Sequence, residues 1–79
     1  MSYTLHSIVT KKFDATDLKG ARVKAKHLNG TKTIAYNQAW SAEDNHETAA
    51  EVLAAELGIE YTKVLSSVVE PGHHIHILE

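Results

Sequence analysis

One segment of this 79-residue chain carries every mark of a helix. Ser41 precedes Ala42-Glu43-Asp44, a hydroxyl followed three positions on by an acid. That is an N-terminal capping pattern, with negative charge where the helix dipole favours it. Ala49, Ala50, Val52, Leu53, Ala54, Ala55 and Leu57 continue with strong helix formers. Gly58 then stands where a left-handed residue commonly ends a helix. The predicted helix spans 42–57, and His46, Ala50, Leu53 and Leu57 form one stripe along it, with Ala49 and Val52 beside them. A lone helix with such a stripe has to bury it against another layer. Everything else in the chain is strand-like, which leads to a two-layer α+β arrangement.

The strand signals surround this helix. Tyr3 to Lys12 alternates imperfectly, with Tyr3, Leu5 and Val9 on one side and His6 and Thr10 on the other. Ala21 to Leu28 alternates cleanly: Ala21, Val23 and Ala25 share one face, Arg22, Lys24 and Lys26 the other. Asn29-Gly30 follows, and then the Thr/Ile/Tyr-rich run Thr31 to Tyr36. An Asn-Gly pair between two such runs predicts a hairpin closed by a type I′ turn. Beyond the helix, Glu60 to Val69 is a strand of ambiguous phase, since Thr62, Val64, Val68 and Tyr61, Leu65, Val69 are both acceptable inward sets. Pro71-Gly72 makes a turn into a final strand, His73 to Leu78. The expected order is β-β-β-α-β-β: an antiparallel sheet of four or five strands, one helix on one face, a single domain over 1–79. The expected core is Leu5, Val9, Val23, Ala25, Ile34, Ala50, Leu53, Leu57, Ile75 and Ile77.

Several classes fall away. A chain of this length holds one small core and no long enclosed cleft. The absence of cysteine excludes disulfides, thiolate chemistry and Cys-based zinc sites. No apolar run approaches the ~18 residues of a membrane span, and Met1-Ser2-Tyr3 opens no signal peptide, so a soluble, cytoplasmic protein is expected. No Gly-rich phosphate loop, nucleophile–base pair or cleft carboxylate pair is legible, so no enzymatic activity and no cofactor are expected.

Charge is distributed unevenly. Residues 1–40 hold seven cations against Asp14 and Asp17, a balance of +5; residues 41–79 hold Lys63 against eight acids, a balance of −7. Arg22, Lys24 and Lys26 form a row about 7 Å apart on the solvent side of one strand. Lys12 is expected beside this row and Lys32 across the hairpin. Together these five are the first candidate partner-binding surface, suited to a phosphate backbone or an acidic protein patch. The helix row Glu43, Glu47 and Glu51 is the second. The plain alternative is that both rows only keep the domain soluble.

Six histidines are an unusual number. His74 and His76 are expected to point the same way, outward, with Ile75 and Ile77 inward. A two-histidine strand pair with His6 as a third member falls short of a metal shell, and no metal is expected. His46 is expected to be a packing residue of the helix stripe, and Asn45 to reach back to the preceding turn. Trp40 is expected in the core, locking the approach to the helix, with base stacking as the competing role. Tyr36 and Tyr61 are the candidate aromatic platforms for a nucleic-acid surface.

Gly20-Ala21-Arg22-Val23-Lys24-Ala25, Tyr36-Asn37-Gln38-Ala39, and Asn45-His46 followed by Ala49-Ala50, Leu53 and Leu57-Gly58 together carry a resemblance. The chain resembles a group of short phage and prophage proteins with an Arg-Ile/Val-Lys-Ala strand and an Asn-His-x-x-Ala-Ala helix. The likeness covers roughly residues 13–58. It departs at Lys19, at Asn37-Gln38 and in the His-rich last strand. The group has no assigned activity or functional residues. What the resemblance implies is a mobile-element origin, and with it a binding protein that inhibits a host defence complex, anti-CRISPR-like, through a host protein or ribonucleoprotein partner. The alternative is a small nucleic-acid-binding or regulatory protein of the element.

Overall fold

The structure, a computed structural model, describes residues 6–79. Strands β1 (His6–Phe13), β2 (Arg22–His27) and β3 (Gly30–Ala35) precede helix α1 (Ala42–Leu57), and β4 (Val64–Glu70) and β5 (His73–Leu78) follow. The five strands form one antiparallel sheet ordered β3-β2-β1-β5-β4. The helix lies over β1, β2 and β3 and reaches β5 only marginally. The fold is the expected α+β sheet with one helix.

Both helix ends are built as the sequence indicates. Ser41 is extended (φ −66°, ψ 163°) and its Oγ accepts the Asp44 N–H at 3.1 Å. At the other end Gly58 is left-handed (φ 69°), and Ile59 N–H turns back to the Ala54 carbonyl at 2.9 Å. Ser41→Ala is expected to cost about 1 kcal/mol, read as a thermal midpoint about 5 °C lower with an unchanged circular dichroism spectrum.

The β2–β3 hairpin is present, but its turn differs from the expected one. Leu28 and Asn29 are the turn residues, His27 pairs with Gly30, and neither Asn29 nor Gly30 has a positive φ. A type I′ turn is therefore ruled out. The turn is held instead by His27, whose Nδ1 accepts the Asn29 N–H at 3.0 Å. Gly30 lies close under the helix: a Cβ there would stand 3.2 Å from Leu57 Cδ2, which would have to shift by a few tenths of an ångström. In the β4–β5 turn, by contrast, Gly72 does take positive φ (77°) after Pro71.

The core consists of Ile8, Val23, Ala25, Ala49, Ala50, Leu53, Ala54 and Leu78, with Ile34, Leu57, Ile59 and Val64 packed against it. Three expected core residues are not there. Val9, Ile75 and Ile77 lie on the sheet face away from the helix, because the register pairs Ile8 with His76 and Thr10 with His74 on the helix side. The phase of β1 and β5 is the reverse of the expected one; Leu5 lies outside the described residues. In β4 neither proposed inward set is buried, and Val64 alone packs on the core, since the helix does not cover this strand. Trp40 is also outside the core, 45% exposed. The space beneath its turn is taken by Asn45, whose amide bonds Asn37 and Ser41.

Candidate interaction face

The two faces of the sheet carry opposite kinds of polar chemistry. On the helix side, the histidines form a closed network. Thr10 Oγ1 sits 2.7 Å from His46 Nδ1 and 2.9 Å from His76 Nε2, while His76 Nδ1 is 2.7 Å from Ser66 Oγ. The His46 ring stacks on His74 at 3.7 Å, nearly parallel. With both rings neutral, one ring nitrogen accepts the Thr10 proton while the other donates to its oxygen, and both ring nitrogens that face the hydroxyl are then satisfied by it. Burial, together with the neighbouring His74, holds His46 down at about 4 and His76 at about 4. Burial also lowers His74, against the opposing pull of Glu43.

His74 and His76 are thus packed inward, not presented to solvent as expected. Both His76 nitrogens serve hydroxyls and His74 stacks on His46, and among the described residues no group of three His, Asp or Glu side chains is placed to hold a metal ion. His6 joins a separate pair: His27 accepts from Asn29 at Nδ1, which leaves its Nε2–H to donate to His6 Nδ1 at 3.2 Å. His46 ties the helix to the sheet through Thr10 and the His74 ring, and the other buried histidines link strand to strand.

The other face is uncovered. Arg22, Lys24 and Lys26 project there from β2, as expected from their alternation. Their β1 partners are Phe13 opposite Arg22, Lys11 opposite Lys24 and Val9 opposite Lys26. Lys11 directly facing Lys24 is unfavourable, because like charges opposed across two strands destabilise a sheet. The Arg22 guanidinium lies 5.2 Å from the Phe13 ring centroid and Lys11 Nζ 5.6 Å from it. Arg22 Nη1 is buried there without a hydrogen-bond partner. Toward β5 and β4 the face turns apolar, with Val9, Ile75, Ile77 and Leu65 in adjacent register.

The remaining candidates lie elsewhere. Lys12 opposes Val23 and Lys32 opposes Ala25, so both project on the helix side. Lys12 Nζ caps the Tyr36 ring at 4.4 Å and approaches Asp14 at 3.8 Å; Lys32 pairs with Glu56 at 2.9 Å. Tyr36 and Tyr61 pack against the core and are not platforms on the basic face. Glu43, Glu47 and Glu51 run along the outside of α1. Partial burial and the adjacent Glu47 raise the Glu51 carboxyl, the signature of a self-repelling row. Trp40 joins Asp44, Glu47, Thr48 and Glu51 along a shallow groove there.

Two members of the open face, Lys11 and Phe13, escaped the sequence reading. Their signal was the alternation itself: once Ile8 and Thr10 are inward, Lys11 and Phe13 must be outward. What fold and face define together is a small α+β domain with a helix on one side and a free sheet face, basic at one end and apolar at the other. The chain matches no family model, no curated protein and no solved structure. Among the described residues no helix is long and apolar enough to cross a membrane.

Proposed function

We propose that this chain is a non-enzymatic binding protein of a phage or other mobile element that inhibits a host defence complex, in the manner of an anti-CRISPR protein. It does so by seating its open sheet face on an acidic, partly apolar protein surface of that complex. The observation that carries the reading is Lys11 opposed to Lys24, flanked by Lys26 and by an Arg22 whose Nη1 has no partner. The isolated domain gains no stability from opposing lysines. An acidic partner turns the same arrangement from repulsion into attraction and speeds encounter. The contiguous patch Val9, Ile75, Ile77 and Leu65 favours a protein over a bare phosphate backbone. Single-strand readers need several stacking rings, and Phe13 is the one aromatic this face offers among the described residues.

Charge reversal tests this. Arg22→Glu with Lys24→Glu is expected to abolish inhibition of the defence complex in cells and to weaken binding more than about 100-fold, since several charge pairs invert together. Stability should change by no more than about 0.5 kcal/mol, because a carboxylate introduced opposite Lys11 meets that lysine favourably. Glu43→Lys with Glu47→Lys should leave inhibition intact. The opposite pattern moves the working surface to the helix and overturns the proposal. Binding to duplex or single-stranded nucleic acid that falls steeply with salt, without a protein target, replaces it with the nucleic-acid reading.

A further inference from the structure

The two edges of the sheet are treated differently. Edge β3 carries Lys32 and lies under the helix, which are ordinary protections against pairing with another strand. Edge β4 has none of these. Its sequence Val-Leu-Ser-Ser-Val-Val is free of charge until Glu70, and Leu65, Val68 and Val69 are 44%, 54% and 61% exposed. Lys63 exchanges both of its backbone bonds with Glu79, at 3.3 and 2.9 Å. By antiparallel alternation, Val64, Ser66 and Val68 then turn their N–H and C=O groups outward, away from β5. A row of backbone donors and acceptors, bordered by exposed valines, is left open along one side of the molecule.

We infer that β4 is a homodimerisation edge: two copies pair antiparallel through β4, joining their sheets into one of ten strands. The sequence of β4 is complementary to itself in the register that its outward groups select. With the two-fold axis at Ser66, that residue meets its counterpart, Val64 meets Val68 of the second copy, and Leu65 meets Ser67. Each of the hydrogen-bonded pairs exchanges two backbone bonds. The valine pair becomes a cross-strand apolar contact that covers the exposed Val68 with the half-buried Val64. At both ends Lys63 of one copy comes beside Glu70 of the other, on the open face. The bulge between Val68 and Glu70 ends the ladder there, which limits the register. The helices of the two copies lie on the same side and far from the axis, since α1 sits over β1 to β3. The open faces join into one continuous surface with a basic row at each end.

Two measurements test this on the intact chain. Light scattering coupled to gel filtration, from about 5 to about 500 μM, should show a concentration-dependent monomer–dimer equilibrium, as expected of an interface at the small end of the specific range. Val68→Lys places a charge in the ladder at a position exposed in the monomer, and should weaken the dimer about tenfold or more without lowering the thermal midpoint. The chain contains no cysteine, so Leu65→Cys with Ser67→Cys gives a register test. Under oxidation the double variant should form covalent dimers, because residues 65 and 67 of the two copies meet in a closely spaced non-hydrogen-bonded pair. Leu65→Cys alone should not cross-link efficiently. A monomer throughout the concentration range overturns the inference, as does a dimer indifferent to Val68→Lys that yields no cross-link. Recruitment of a foreign strand to β4 by a chain that stays monomeric overturns it as well, in favour of strand addition by a partner.

Discussion

Lowering the pH from 7.5 to 5 is expected to reduce the thermal midpoint by about 15 °C or more, a larger loss than a domain of this size ordinarily shows in that range. The histidine network is the cause. An unfolded histidine takes up its proton near 6.5, whereas folded His46 and His76 resist doing so until about 4. Between those values the unfolded chain binds more protons, so stability declines as pH falls and levels off only below the folded values. A shift of this size on one group corresponds to roughly 3 kcal/mol when titration is complete, of which about 2 kcal/mol is lost by pH 5, and two groups sharing the Thr10 hydroxyl contribute less than twice that. Charging both rings also leaves the Thr10 proton without an acceptor and sets cations against the stacked His74. Glu51 opposes the trend, since its raised carboxyl gains by protonation, but it is exposed and its effect is small. Melts followed by circular dichroism across pH check this. A midpoint at pH 5 within a few degrees of that at pH 7.5 would show that the network does not exclude protons.

Asn45→Ala is expected to cost about 2–4 kcal/mol and to lower the midpoint by about 10–25 °C. The side chain is fully buried. Its Oδ1 accepts Asn37 N–H at 2.7 Å, and its Nδ2 donates to the Asn37 and Ser41 carbonyls at 2.9 Å each. The two carbonyls keep other partners, from Trp40 N–H and Asn45 N–H, whereas the Asn37 N–H is left with none. Most of the cost comes from that orphaned donor and the vacated volume. Asn45→Asp separates the two causes. It keeps the volume and the acceptor but sets a carboxylate against two carbonyl oxygens, and should be at least as damaging. A near-wild-type Asn45→Asp variant would contradict the account.

Local signals carried the architecture well. The Ser41 cap, the Gly58 stop, the β2 alternation and the Pro71-Gly72 turn are each settled by a few neighbouring residues, and each element stands where those signals put it. The reach of Asn45 back to the preceding turn was legible for the same reason. What was not legible was the phase of β1 and β5. Period-two alternation says which residues share a face and nothing about which face meets the helix. Hydropathy favoured isoleucines inward, yet His74 and His76 are inward because Thr10 and Ser66 take up both His76 nitrogens and the His46 ring stacks on His74, partners drawn from three other elements. The same inversion hid Lys11 and Phe13 and misplaced Lys12. Lys32, expected near the basic row, is tied instead to a helix glutamate. The exposure of β4 was hidden too, since it depends on where the helix stops covering the sheet.

The strand order has a consequence for how the chain is made. β1, the first described strand, and β5, the last, lie side by side at the middle of the sheet. During synthesis, β1, β2, β3 and the helix can leave the ribosome and associate, but β1 keeps one bare side until residues 73–78 are out. The hydroxyl of Thr10 waits equally long for His76. Folding therefore completes as a late, nearly simultaneous closure rather than growing steadily from the first hairpin. A ribosome stalled anywhere before β5 holds a nascent chain with an open strand in its centre, a substrate for chaperones or for its neighbours on the same message.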